Sequence, residues 1–271
     1  MGTLNNMISL ANRPRFIDLE SSSIKELSVG STSKGNQPKY YDYSTNEYIK
    51  EQFYCQDTYW KDYMVEVLSS VLSKQLHTNV QIVQQETVSL SNGKMGCISK
   101  DFLERGSIWI PMSRTGCYED CKRLLGEPQK VFDNIVTYFK QFNLDLTEYL
   151  LVMIIMDYLL GNEDRHYGNL GVIQLSNGKL NTSPLFDFGL GLFEHDTDYR
   201  IVNLYTAKLK MNGKPFSKDL SEPVDMLFDI DLGPLVKSIF KDIEIPDKSL
   251  FPNELGYQYF VESFYELKGR F

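Results

Sequence analysis

The chain has 271 residues, of which 42% are hydrophobic and 24% charged, so it is rich enough in apolar side chains to bury a core and is not a disordered chain. Its 36 acidic residues exceed its 28 Lys and Arg, a formal net charge of -8, which repels phosphate backbones and argues against nucleic-acid binding as the main task. The four cysteines form no CxxC pair and have no matching histidine pair, which argues against a zinc site. Cys117 and Cys121, one helical turn apart, read as ordinary reduced thiols, as in a reducing cytoplasm of bacterial type.

The first 15 residues show no basic start followed by an apolar block, so no secretory leader is expected, and Asn6 stands where a myristoylation signal needs Ser or Thr. The most apolar run, residues 149–160, is too short to span a bilayer and is interrupted by Asp157.

From residue 24 to 53 the pattern predicts short strands broken by small polar residues. Residues 30–36 form a loop of glycines and hydroxyls, and residues 39–43 and 47–53 read as strands around a Ser-Thr-Asn turn. A helix follows, in which Trp60, Met64, Val67, Leu68, Val71 and Leu72 recur at the period of one buried face. Residues 80–83 and 86–90 are expected as strands, with a turn at 91–94 and a returning strand at 95–99.

Beyond Phe102 helices are predicted over 118–125, 131–142 and 146–160, the last with Thr147 as N-cap. Strand-like pieces at 171–175 and 185–187 flank a turn at 176–179. From about residue 220 the chain is again helical, punctuated by Pro223, Pro234, Pro246 and Pro252. A β-rich first third followed by a helical remainder is an α+β order.

The chemistry concentrates in Gly161-Asn162-Glu163-Asp164-Arg165-His166-Tyr167-Gly168-Asn169, followed by Phe186-Asp187-Phe188-Gly189. Phosphoryl transfer needs this set of residue types. Asp164 can orient an attacking hydroxyl and receive its proton. The carboxamide oxygen of Asn169 can bind magnesium without adding charge, and Asp187 can bridge the ions that hold the phosphates. Arg165 is expected to order the loop by pairing with a carboxylate, with Asp157 as candidate. His166 reads as a metal ligand, a catalytic helper or a packing residue, and the lack of another suitably spaced histidine or cysteine argues against the metal.

These motifs resemble the bacterial HipA-like kinases and their relatives among the phosphatidylinositol 3/4-kinases, in which an Asp-Arg-His-x-x-Asn order precedes Asp-x-Gly. The segments Gly96-Cys97-Ile98-Ser99-Lys100-Asp101-Phe102-Leu103 and Ile108-Trp109-Ile110-Pro111-Met112 are similar to the stretches that leave the small lobe in those proteins. The resemblance implies a protein-kinase-like two-lobed fold, with a small antiparallel β-rich N-lobe over 15–102 and a mostly helical C-lobe over 103–271. It implies Asp164 and His166 as catalytic residues and Asn169 and Asp187 as magnesium ligands. ATP would be held by Gly30, Ser31, Thr32, Ser33 and Lys34 of the first loop, by Lys50 and Glu66, and by Ser99 and Lys100.

Lys50 is preferred for the phosphates because it stands directly before the candidate helix, with Lys39 as its rival. Glu66 matches the family position for the acidic partner but lies opposite the apolar stripe of an ideal helix, so the assignment requires both helix faces to be covered. The loop at 30–36 matches neither a Walker A motif nor GxGxxG. The implied activity is transfer of phosphate from ATP to Ser or Thr of a protein substrate, with autophosphorylation in the loop at Ser31, Thr32 or Ser33 and with an antitoxin-like regulator as a possible partner. Two other readings stay open. One is a lipid kinase, for which Lys208, Lys210, Lys214 and Lys218 offer basic contacts, and the other is a nucleotide-binding regulator without turnover.

Overall fold

The computed structural model describes residues 14–27, 37–55, 58–193, 204, 211–228 and 232–270. The candidate phosphate loop (Gly30, Ser31, Thr32, Ser33, Lys34) and Lys208 and Lys210 lie outside the described residues.

The first part is a six-stranded sheet. Its strands are β1 (Arg15–Ile17), β2 (Ile24–Glu26), β3 (Lys39–Asp42), β4 (Glu47–Glu51), β7 (Gln85–Leu90) and β8 (Met95–Lys100), in the order β1-β7-β8-β4-β3-β2. β1 runs parallel to β7, and the other neighbours are antiparallel. The turn between β7 and β8 places Gly93 at φ 80, a left-handed conformation that glycine adopts without steric cost. A small hairpin, β5 (Tyr54–Cys55) and β6 (Thr58–Tyr59), leads into helix α1 (Asp62–Ser73).

The second part is mostly helical. It holds α2 (Tyr118–Arg123), α3 (Pro128–Lys140), α4 (Thr147–Leu160), α5 (Ser221–Met226), α6 (Gly233–Phe240) and α7 (Glu254–Gly269). A three-stranded sheet, β9 (Ile108–Pro111), β10 (Gly171–Gln174) and β11 (Leu180–Thr182) in the order β11-β10-β9, sits among them. Every residue of α4 from 149 to 160 is buried, which explains why that segment reads as apolar all round rather than on one face. Among the described residues no helix is long and apolar enough to cross a membrane.

Two cores result. Ile17, Ile49, Val88, Leu90 and Ile98 form a small one under the sheet, while the large one is built around α4 and includes Val65, Leu68 and Leu72 of α1. The α1 stripe therefore differs from the sequence expectation. Met64, Val67 and Val71 are only half-buried, whereas Asp62, Glu66, Ser69 and Ser70 are buried along with Val65, Leu68 and Leu72. The helix is wedged between the sheet and the large core, so both of its faces are covered.

Two other expectations change. Residues 80–83 form no strand but a single parallel bridge, Ile82 to Leu185, because their backbone is used to join the two parts: Val83 N donates to Leu185 O (2.9 Å) and Leu185 N to Gln81 O (2.8 Å). At α4 the capping acceptor is Asp145, whose Oδ1 receives Thr147 N (2.9 Å) and Thr147 Oγ1 (2.6 Å), so Thr147 is the capped residue and not the cap.

The connection after α1 is fixed to the helical part at several further points. His77 N donates to Ile239 O (3.1 Å), Glu244 N to Gln75 Oε1 (2.7 Å) and Thr78 Oγ1 to Glu148 Oε1 (2.6 Å).

Candidate active site

The loop that follows α4 starts at Gly161, whose φ of 54 turns the chain out of the helix in a left-handed cap. Asn162 then closes back on the helix, with its backbone N–H on Asp157 O and its side-chain Nδ2 on Asp157 Oδ1, both at 2.8 Å. Arg165 binds the same carboxylate through Nε (2.9 Å to Oδ2) and Nη2 (2.8 Å to Oδ1). Its third arm, Nη1, reaches Phe186 O at 2.5 Å, and its guanidinium lies 4.6 Å from the centre of the Phe188 ring. One arginine thus ties the helix, the loop and the Phe186–Gly189 segment together, a task for which its planar fork of donors is suited. The Asp157 pairing suggested by the sequence is present.

Within the loop, His166 Nδ1 accepts the backbone N–H of Gly168 (3.0 Å) and its carbonyl accepts Asn169 N (2.8 Å), so the imidazole shapes the turn that carries Asn169. Tyr167 donates its hydroxyl to Pro215 O (3.2 Å), joining the loop to the segment before α5. Asn169 is buried, and its Oδ1 has no hydrogen-bond partner among the described residues. Asp164 is half-buried, and its backbone N–H donates a long hydrogen bond to Asn162 Oδ1 (3.4 Å).

Across from this loop, Lys50 Nζ on β4 lies 2.5 Å from Glu66 Oε1 on α1 and 2.8 Å from Asp187 Oδ1. The second Glu66 oxygen accepts the backbone N–H of Phe188 at 3.2 Å. Burial by itself would strip the Lys50 proton, but Asp187 and Glu66 outweigh it and hold the ammonium well above the usual lysine range. Burial likewise opposes charge on Asp187, yet Lys50 and then Lys39 keep its carboxyl well below the usual carboxylate range. Asp187 sits at φ 65, a conformation that costs a non-glycine residue about 1–3 kcal/mol and persists where the surroundings enforce it.

At the start of α1 the buried Asp62 accepts Phe53 N (3.2 Å) and the side chain of Gln37, which also donates to Glu51 O (2.6 Å). Burial dominates and pushes its carboxyl up to about 7.

A cleft opens beside these groups. It is lined by Lys39, Tyr48 and Lys50 of the sheet, by Ser99, Lys100 and residues 101–103, and by Trp109, Phe186 and Asp187. Phe186 stacks on Phe102 (5.7 Å between ring centres) and meets Trp109 edge-on (5.5 Å). The lining thus combines flat aromatic surface with cations and carboxylates, a pattern common to small-molecule sites.

Of the residues expected from sequence, Lys50, Glu66 and Asp187 are in direct contact, and the loop bearing Asp164, His166 and Asn169 is tied to Phe186 through Arg165. Ser99 and Lys100 border the cleft, but the Lys100 ammonium is turned to Glu47 Oε1 (2.9 Å) and Thr45 O (3.1 Å), so its charge is engaged away from the Lys50 group. Tyr48 was missed, although it alternates with Lys50 and therefore shares its strand face. Asp62 and Gln37 carried no sequence signal beyond an acidic residue at a helix start.

The donor set suits magnesium. Asn169 Oδ1 is an orphaned hard oxygen and Asp187 a carboxylate, and magnesium binds one or two such protein oxygens while taking the rest of its shell from phosphates and water. Among the described residues no cluster of three or more His, Cys, Asp or Glu could hold a metal ion without such help.

No protein-family model matches the chain, and no curated protein matches it in sequence. In structure it is similar to a proinflammatory kinase of Helicobacter pylori, CtkA, with a TM-score of 0.65 and 18% identity over 94% of this chain and 94% of that one. With its curled sheet, its helical second part and its cleft between them, the chain has a two-lobed, kinase-like α+β fold.

Proposed function

We propose that the protein is an ATP- and magnesium-dependent phosphotransferase, specifically a serine/threonine protein kinase of the HipA-like type. The observation that carries this reading is the contact of Lys50 with both Glu66 and Asp187, with Lys50 and Asp187 lining the cleft. A lysine held by a helix carboxylate and a metal-binding carboxylate is the arrangement that grips a nucleotide's phosphates.

In this reading the base stacks against Phe102, Trp109 and Phe186 of the cleft lining. Lys50 would hold the α- and β-phosphates, and Asn169 and Asp187 would hold magnesium, which when bound would supply charge screening for the phosphates. Asp164 receives the proton of a serine or threonine hydroxyl as that oxygen attacks the γ-phosphorus. The bond to the β-phosphate oxygen breaks, and ADP leaves with the electron pair. His166 supports the turn that presents Asn169. The hydroxyls of Ser31, Thr32 and Ser33 are the proposed autophosphorylation targets.

The test is transfer of labelled phosphate from ATP with magnesium, offered protein substrates and phosphoinositide vesicles in parallel, followed by phosphoamino-acid analysis. The wild type should label serine or threonine, and D187A and D164A should not, while both variants keep the wild-type circular dichroism. Full transfer by D187A, or labelling of lipid alone, overturns the proposal. Mass spectrometry showing residues 31–33 unmodified after ATP treatment rejects the autophosphorylation site.

A further inference from the structure

Antiparallel register sets Lys39 of β3 directly opposite Lys50 of β4. Side chains in such a pair leave the sheet on the same face with their Cβ atoms about 5 Å apart, and like charges there are destabilising. Both lysines border the cleft together with Asp187, and Lys39 is buried. Buried lysines are rare, because taking an ammonium out of water is costly. The next like-charged pair in the same register, Asp42 and Glu47, is neutralised on the spot: Ser44 N and Oγ donate to Asp42, while Arg15 and Lys100 pair with Glu47. The lysine pair instead lies in the shared field of Glu66 and Asp187, with both lysines and Asp187 lining the cleft.

The geometry points to Lys39 as a second phosphate-binding cation of the nucleotide site, acting with Lys50 on the phosphates of ATP rather than as an alternative to it. This rests on the phosphotransferase reading above. It assigns Lys39 to nucleotide affinity and leaves the Glu66-held Lys50 to orient the phosphates for transfer. Burial, then the charge of Lys50, lowers the Lys39 pKa, with Asp187, Glu66 and Cys97 opposing the shift. The groups facing it are therefore Lys50 on β4, Cys97 on β8, Glu66 on α1 and Asp187. Its contribution should weaken as pH rises toward the usual lysine range.

The experiment is equilibrium binding of adenosine, ADP and ATP, each with excess magnesium, to the full chain carrying Lys39, K39M or K39R. A charge-assisted contact predicts that K39M binds ADP and ATP about tenfold or more weakly while adenosine affinity is unchanged, and that K39R recovers most of the loss. It further predicts that ATP affinity declines in the wild type as pH rises toward the usual lysine range and is flatter in K39R, because arginine stays charged. Melting curves without nucleotide show whether K39M is folded; if it is not, K39R and its pH profile carry the test. Wild-type binding of ATP that K39M matches within about twofold overturns the assignment of Lys39 alone. Binding of neither ADP nor ATP by the wild type overturns the phosphotransferase reading along with it.

Discussion

Arg165 Nη2 lies 2.8 Å from Asp157 Oδ1, and the arginine side chain has no exposed surface. The pair joins the last turn of the most buried helix to the loop that carries Asp164 and Asn169. Because Arg165 also donates to Phe186 O, its loss frees two segments at once.

Replacing Arg165 by Met should therefore destabilise the protein by about 3–5 kcal/mol, since the Asp157 charge is left buried without its partner. Urea unfolding measures this directly. The double variant R165M/D157L removes both charges and should recover part of the loss, as a buried pair that is deleted whole costs less than one that is broken.

Glu66→Gln keeps the size of the side chain and an oxygen for Phe188 N but removes the charge that holds Lys50. Misplacing Lys50 by about 1 Å is expected to lower kcat/KM for phosphate transfer by about 100-fold. The melting temperature should move little by comparison. Steady-state kinetics beside a thermal melt separate the two effects.

Asp62 makes the fold pH-sensitive in a definite direction. Its carboxyl is raised from 3.8 to about 7, so in that interval the folded state binds more protons than the unfolded one. Stability then falls as pH rises from about 4 to about 7, and the contribution is fully present only below that window. D62N should lack this slope. Denaturant midpoints across pH 4 to pH 8 for both proteins give the comparison, and parallel curves would reject it.

At Gly161 the backbone is left-handed, and an added methyl would run into Met211 and come within 3.1 Å of Tyr259 Cε1. Gly161→Ala should cost about 2–4 kcal/mol through strain and overlap together. Because the residue starts the loop of Asp164, its activity should fall further than its stability accounts for.

The sequence carried unequal amounts of this structure. The loop at 161–169 and the Phe186–Gly189 segment were legible because chemistry demands fixed residue types at fixed spacing. Helix α4 was legible because a continuous apolar run has few other fates. Glu66 was obscured in the linear pattern: a one-faced amphipathic pattern presumes solvent on the opposite side, and α1 has the sheet there. Residues 80–83 carry the alternation of a strand, yet their hydrogen bonds go to Gln81–Leu185 and Val83–Leu185 pairs 100 residues away, which local pattern does not encode. Asp145 outcompeted Thr147 as a cap because a carboxylate two residues back can accept both the amide and the hydroxyl. Lys39 and Lys50 looked like rivals because strand register, which sets them side by side, is absent from a linear reading.

The anchoring of residues 75–83 to the helical part has a mechanical consequence for α1. The end of that helix near Ser73 is held by Gln75, His77 and Thr78, while its start is linked to the sheet through Asp62 and Glu66. It is a lever with its fulcrum at the C-terminal end. Glu66 stands seven residues from Ser73, an arm of about 10 Å at 1.5 Å per residue. A tilt of about 10° moves its carboxylate by nearly 2 Å, enough to part it from Lys50. Any rotation of the sheet against the helical part that tilted α1 about Ser73 would therefore act first on the Lys50–Glu66 ion pair.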